Sequence, residues 1–311
     1  MKVLITGADG FLGRYLAAAL LDQQHVVCGI HHGPLKKAAN PKVLWWRADV
    51  TDTRSMRRIV GEFRPQAVVH LAAMAVPRLS WSAIPETFRV NVRGTLSVLE
   101  ALRLEAPAAR LLFASSIQVY GQQFQWKSHL REEDIPWPHS PYGASKAVAE
   151  LACLNYAAQA GLDVIIMRLT NSLGKGLSAE LVFPEWCRQI AGAERSSSRR
   201  VLETGNLGVW REFLNVKDTA AAMELLLRRG RRGQIYNICT GRVELLKGYV
   251  DFLRRQSAVP LKVVTRKARL RPMDPRVMST AGRKIRKLGW RPQHSVRAAL
   301  TEILSEWRQR E

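Results

Sequence analysis

The 311-residue chain has only four cysteines, at positions 28, 153, 187 and 239. They are far apart and form neither a C-x-x-C pair nor a His/Cys cluster of metal-ligand spacing, so neither a disulfide framework nor a metal site is expected. Small buried hydrophobes in a reducing compartment are the expected role. No apolar run approaches the ~18 residues that a membrane span needs. Met1 leads almost at once into an apolar strand pattern, without the charged region and cleavage site of a signal peptide. A cytoplasmic location with no membrane partner is expected. Acidic residues are also scarce: 26 Asp and Glu stand against 48 Lys and Arg, a formal net charge of +22. Such an excess can serve nucleic acid, an anionic surface or a charged nucleotide, or can be spread over solvated faces. No stripe interleaves aromatic with basic residues as single-strand binders do, so nucleic acid is not the expected partner.

Alternating strand and helix patterns are abundant. Lys2-Val3-Leu4-Ile5-Thr6 is an apolar run suited to a buried strand, and Phe11, Leu12, Tyr15, Leu16, Ala19 and Leu20 follow at helical spacing. Between them lie Gly7, Gly10 and Gly13, in a G-x-x-G-x-x-G arrangement. Glycines there permit a tight turn, let backbone approach a pyrophosphate, and allow close helix-to-strand packing, while helix N-terminal amides face the phosphates. Further strands are expected over 25–30, 43–47, 67–71, 111–115 and 164–169. A helix is expected from Thr51-Asp52, a long one over 85–104, and another carrying Tyr142 to about residue 160. The alternation implies an α/β fold, a Rossmann-type doubly wound parallel sheet with a smaller mixed C-terminal domain. The expected division is 1–170, with 213–240 returning to it, against 171–212 and 241–311. Residues 192–200 read as a basic, serine-rich surface stretch. Gly7, Ala72, Ser116 and Asn171 would all fall at the carboxyl ends of the strands, where open parallel sheets gather ligands.

Tyr142-Gly143-Ala144-Ser145-Lys146 places a phenol and an ammonium one helical turn apart. An ammonium beside a phenol favours the phenolate and is expected to bring its pKa from about 10 toward neutrality. Ser116 then holds a substrate carbonyl or hydroxyl against that phenol. Spacing alone leaves a solvated helix face as the alternative for the pair.

Five motifs, in order, resemble the extended short-chain dehydrogenase/reductase family over essentially the whole chain. They are Thr6-Gly7-Ala8-Asp9-Gly10-Phe11-Leu12-Gly13, His70-Leu71-Ala72-Ala73, Asn91-Val92-Arg93-Gly94-Thr95, Ser115-Ser116 before Val119-Tyr120-Gly121, and Ser140-Pro141-Tyr142-Gly143-Ala144-Ser145-Lys146. The resemblance implies Ser116, Tyr142 and Lys146 as the catalytic group. It implies a nicotinamide cofactor held by Gly7, Gly10, Phe11, Leu12, Gly13, His32, Asp49, Val50, Leu71, Ala72, Ala73, Tyr142, Lys146 and Leu169. Within the family the second half resembles the branch acting on GDP-sugars, in particular the GDP-4-dehydro-6-deoxy-D-mannose reductases. The residues that carry this are Gly205-Asn206-Leu207 with Arg211-Glu212-Phe213, Arg269-Leu270-Arg271-Pro272-Met273-Asp274 and Leu288-Gly289-Trp290-Arg291-Pro292. That likeness implies Asn171 and Val182 in the substrate site, Arg211 and Arg271 clamping a diphosphate, and Asp274 accepting from ribose hydroxyls. A homodimer packed through the helices of Asn91 and Tyr142 is also implied.

Departures from the family pattern narrow the reaction. Dehydratases of the family carry Asp-Glu after the catalytic hydroxyl residue, and the epimerase-reductases a cysteine at the second of those positions. This chain has Ile117-Gln118, neither of which does acid-base work. The expected reaction is therefore NADPH-dependent reduction of the C4 ketone of a nucleotide-linked 4-keto-6-deoxyhexose, GDP-linked above other nucleotides. NADPH is favoured over NADH because strand two ends in His31-His32-Gly33, with Lys36 and Lys37 behind, where NAD enzymes usually place a carboxylate. Alternatives are a 4-epimerase holding NAD tightly, and a nucleic-acid-binding or scaffold protein on the same fold. Pro and His of the family's run after strand six are missing from Arg168-Leu169-Thr170-Asn171-Ser172, Ala75 and Val76 replace a hydroxyl residue, and Asn215 and Lys217 replace an Asp and an Arg.

Overall fold

The computed structural model describes residues 1–35, 39–196, 200–270 and 274–310. The chain opens with β1 (Lys2–Thr6), α1 (Phe11–Asp22), β2 (Val26–His31), β3 (Leu44–Arg47), α2 (Thr53–Phe63) and β4 (Ala67–His70). Next come α3 (Ile84–Phe88), a π-turn over Arg89–Arg93, α4 (Gly94–Glu105), β5 (Arg110–Ser116), α5 (Pro141–Gln159) and β6 (Asp163–Leu169). Then follow β7 (Asn171–Leu173), α6 (Val182–Arg195), β8 (Val201–Thr204), β9 (Trp210–Arg211), β10 (Phe213–Asn215), α7 (Val216–Arg229) and β11 (Ile235–Ile238). The chain ends with β12 (Glu244–Leu245), α8 (Leu246–Gln256), β13 (Lys262–Thr265), β14 (Val277–Met278), α9 (Arg283–Lys287) and α10 (Val296–Gln309).

Seven strands form one sheet in the order β3-β2-β1-β4-β5-β6-β11, each neighbouring pair parallel. The near-continuous apolar runs of β1, β4 and β5 follow from burial on both faces. Val3, Ile5, Leu112 and Ile165 pack toward α1 and α7 with Leu16, Leu20 and Leu226. Leu4, Leu111 and Phe113 pack on the other face toward α2, α4 and α5 with Ile59, Val98 and Ala149. The strand order reverses between β1 and β4, the switch point at which ligands of such sheets bind. This is the doubly wound α/β architecture expected from the alternation. A third cluster, with Phe183, Trp186, Leu253 and Leu300, joins α6, α8 and α10 apart from the large sheet.

Local signals account for the element starts. Asp52 caps α2 by accepting from the amides of Arg54 and Ser55 at 3.0 and 3.3 Å. Ser140 caps α5 through the Gly143 amide at 3.1 Å, with Pro141 in the first turn. Asn215 caps α7 through Lys217 N, so the departure from Asp at that position keeps the capping oxygen.

Two expectations need correction. The long helix over 85–104 is interrupted by a π-turn over Arg89–Arg93 that holds Asn91, whose side chain bonds Met74 and Ser145. Residues 192–195 belong to α6, because its apolar face, with Ile190 and Ala193, continues into them. Among the described residues no helix is long and apolar enough to cross a membrane.

Candidate active site

The glycine turn sits at the carboxyl end of β1. Gly7 has φ +67°, in the left-handed region, and a Cβ on it would lie 2.9 Å from the Ala72 amide. A Cβ on Gly13 would lie 2.4 Å from the Gly7 carbonyl oxygen and 2.6 Å from the Ala8 Cα. Only glycine lets α1 approach β1 this closely. Helix α1 starts after Gly10 with no side-chain cap and no acid in its first turn, leaving its N-terminal amides to an anion. Phe11 and Leu12 are half-buried beside them. The turn therefore fits the pyrophosphate of a dinucleotide.

The loop after β4 is fastened to this turn by a neutral histidine. The Thr6 hydroxyl lies 2.6 Å from His70 Nδ1, and His70 Nε2 lies 3.1 Å from the Thr95 hydroxyl. Thr95 donates onward to the Asn91 carbonyl at 2.6 Å, so Nε2 carries the ring proton and Nδ1 accepts from Thr6. Burial and nearby Lys146 push the imidazole down to about 3, so it stays uncharged at neutral pH. Thr6 Oγ1 also accepts from the Ala72 amide at 3.2 Å, and the Leu71 amide donates to the Thr6 carbonyl, which places Leu71, Ala72 and Ala73 along the cleft. Asn91 completes the frame, exchanging bonds with Met74 backbone and donating to Ser145 Oγ at 2.9 Å.

At the far side of the cleft, β2 ends at His31, whose Nδ1 bonds the Gly33 carbonyl at 2.7 Å. His32 is exposed and lies 3.7 Å from Asp49, which also accepts from Thr51 N and Arg89. Val50 is buried beneath α4, against Gly94. Arg47 pairs with His31 in the β2–β3 ladder and donates to the His32 carbonyl at 3.3 Å. Arg47 escaped the sequence reading. Its signal is strand adjacency, which places a cation from β3 beside the end of β2. Lys36 and Lys37 lie outside the described residues.

Ser116, Tyr142 and Lys146 converge at the carboxyl end of β5, all three buried. Ser116 opposes Leu169 in the β5–β6 ladder, and its Oγ accepts from Gln118 N at 3.2 Å. Burial pushes the Tyr142 phenol up to about 12, and only the hydrogen bond from its neighbour Ser116 pulls it back. Lys146 donates to the Ala114 carbonyl at 2.7 Å, lies 5.0 Å above the Phe113 ring, and is pushed down to about 8 by burial. The expectation of a phenol pulled toward neutrality by the ammonium is thus overturned for this state. Spacing put both groups on one helix face, but burial dominates the phenol, and the Lys146 ammonium is engaged by the Ala114 carbonyl of β5.

The expected substrate residues are placed in several ways. Asn171 begins β7 and donates to the Glu212 carbonyl at 3.4 Å, and Val182 begins α6. Asp274 accepts from Arg211, a buried guanidinium that needs a carboxylate partner. Arg271 lies outside the described residues. Glu212, fully buried, ties the same strand down by accepting from Thr240 Oγ1 at 2.8 Å and from the Gly241 and Thr280 amides.

Comparison with known proteins agrees with this geometry. Residues 3–239 match the NAD dependent epimerase/dehydratase family. The GDP-6-deoxy-D-mannose reductase of Pseudomonas aeruginosa is 31% identical over 310 residues, covering 99% of this chain and 98% of the relative. The structure of RMD from Pseudomonas aeruginosa complexed with NADPH superposes with a TM-score of 0.85 at 29% identity, over 99% of this chain and 98% of that one. The Thermus thermophilus UDP-glucose 4-epimerase in complex with NAD gives a TM-score of 0.85 at 27% identity, covering 99% of each chain. Site and fold together place the chain in the NAD dependent epimerase/dehydratase family, among the extended short-chain dehydrogenase/reductases.

Proposed function

We propose that this protein is an NADPH-dependent reductase of the C4 ketone of a nucleotide-linked 4-keto-6-deoxyhexose, with GDP as the favoured nucleotide. The observation that carries the reading is the pair of residues after Ser116. Ile117 is packed in the core and Gln118 is uncharged, so no carboxylate or thiol stands there to take a carbon-bound proton. Elimination and epimerisation at C3 or C5 both need such a base. Ketone reduction needs one proton only, and Tyr142 is built to keep it until it is required.

The bound cofactor supplies the hydride. Tyr142 delivers its proton to the ketone oxygen, which Ser116 orients by hydrogen bonding. Lys146 binds the nicotinamide ribose and stabilises the phenolate left behind, its cost of ionisation being lowered as the charge develops. The α1 N-terminus and the glycine turn hold the pyrophosphate. Arg47 and His32, at the end of β2, favour the extra phosphate of NADPH.

Residues 171–212 and 241–311 form the nucleotide-sugar lobe in this reading, and 213–240 return to the cofactor domain. Asn171 and Val182 border the sugar, and Arg211 engages the diphosphate with Asp274 fixing its fork. The likeness to the GDP-6-deoxy-D-mannose reductase supports the GDP preference. Reaction in D2O tests the chemistry: the product should carry no deuterium at C3 or C5, and deuterium at either carbon sinks the assignment. The likeness to the Thermus epimerase keeps a 4-epimerase as the second reading. It requires protein that purifies with NAD bound and interconverts C4 epimers without added NADPH.

The protein acts as a homodimer in this reading. Helices α4 and α5 leave Leu96, Leu104, Val148 and Leu151 exposed, with Leu151 at 67%. Light scattering of the purified protein should give about twice the 35.0 kDa chain mass, and Leu151→Arg should halve it. A wild-type monomer at micromolar concentration contradicts the dimer.

A further inference from the structure

Glu150 lies four residues beyond Lys146 on α5, the spacing at which a carboxylate and an ammonium on one helix face ordinarily pair. Here the carboxylate is engaged elsewhere. Ser115 donates to Glu150 Oε1 at 2.5 Å, and Arg168 meets both carboxylate oxygens, with Nε 3.0 Å from Oε1 and Nη2 2.8 Å from Oε2. Ser115 and Arg168 oppose each other in the β5–β6 ladder, so one rung of the sheet grips the helix acid from both sides. The guanidinium is itself held, with Nη1 donating to the Glu132 carbonyl at 3.2 Å and its plane 4.7 Å from the Tyr120 ring. Both members of the pair are 2% exposed, so water does not compete for the carboxylate.

We propose that Arg168, with Ser115, is a positioning residue that holds the Glu150 carboxylate back against β6, so that Lys146 keeps its ammonium free of any acid and open to a ligand at the carboxyl end of β5. The proposal rests on the reading of Lys146 as a working group of the site. The forked guanidinium matches a carboxylate in two places where an ammonium matches it in one, so Arg168 wins the competition for Glu150.

The groups around Lys146 identify Glu150 as the relevant anion. Tyr142 and Cys153 on α5 are both pushed up by burial and stay neutral near pH 8. His70 on β4 is neutral as well, and β5 presents the Phe113 ring and the Ala114 carbonyl. Glu150 works against the burial that lowers Lys146. With Arg168 removed, its unneutralised charge should raise Lys146 further.

The test reads the Nζ resonance of Lys146 by 15N NMR in the cofactor-free protein, assigned by its loss in Lys146→Met. The wild-type resonance should titrate near pH 8. Arg168→Met should raise that midpoint by about one unit or more, and Arg168→Met with Glu150→Gln should return it to the wild-type value or below. An unchanged midpoint in Arg168→Met, or the same rise in the double variant, overturns the proposal. If Arg168→Met does not fold, Arg168→Lys, which keeps the charge and loses the fork, should show a smaller rise, and no rise in it is equally contrary. Because neither cofactor nor substrate is present, this outcome is separate from the turnover reading, which fails on its own if Lys146→Met stays fully active.

Discussion

Tyr142→Phe is expected to lower kcat by about 10²–10⁴-fold, the usual contribution of a positioned acid or base, while the Kd for nucleotide sugar and cofactor stays within a few-fold of wild type. The substitution removes one oxygen from a side chain that is 8% exposed and sits beside Ser116. The ring remains to fill the space, so folding should be little affected. A loss confined to kcat marks an interaction made in the transition state, whereas a loss through KM alone would mark ground-state binding. The high phenol pKa agrees with a donor rather than a resting phenolate. At pH 7 the proton is on Tyr142 before reaction, and the phenolate is formed only as the ketone oxygen takes it. Single-turnover absorbance of NADPH at 340 nm, run beside an equilibrium binding measurement, separates the two effects. A Phe variant with undiminished kcat would rule out Tyr142 as the donor.

The second large effect is expected from Gly13→Ala. Its Cβ would overlap three backbone atoms of the turn, at 2.4, 2.6 and 2.7 Å, none of which belongs to a flexible side chain. Helix α1 must therefore move away from β1. Overpacking of this kind costs about 1–3 kcal/mol of stability, and the displaced N-terminal amides no longer meet the pyrophosphate. We expect a lower Tm and a Kd for NADPH raised at least about tenfold, equivalent to about 1.4 kcal/mol, by fluorescence titration. Gly192→Ala is the control, since nothing lies within 4 Å of a Cβ there. If Gly13→Ala binds NADPH as wild type does, the turn is not the pyrophosphate cradle.

The sheet was legible because its strands are buried on both faces, which forces long apolar runs such as 111–115, and because a cap such as Asp52 sits directly before its helix. The convergence of Ser116, Tyr142 and Lys146 was legible for a different reason: helical spacing links Tyr142 to Lys146, and strand five ends at Ser116. What spacing cannot convey is solvation. The pKa shift of Tyr142 took the opposite sign to expectation because burial, a tertiary property, dominates it. Pairings made across the sheet were equally hidden. Arg168 and Glu150 are 18 positions apart and meet only because α5 packs over β5 and β6. Arg47 reaches the end of β2 through ladder register, and Asn91 reaches Ser145 through a π-turn that no periodicity announces. His70 did carry a signal, since an imidazole in a buried strand must find partners for both nitrogens.

The central claim, reduction of a C4 ketone on a nucleotide sugar, is tested most directly by NADPH consumption against a panel of GDP-, dTDP- and UDP-linked 4-keto-6-deoxyhexoses, with NMR of the product. The account predicts stoichiometric oxidation of NADPH, fastest with the GDP-linked substrate, and a product bearing a hydroxyl at C4 with C3 and C5 unchanged. No oxidation with any member of the panel, or a product altered at C3 or C5, would contradict it.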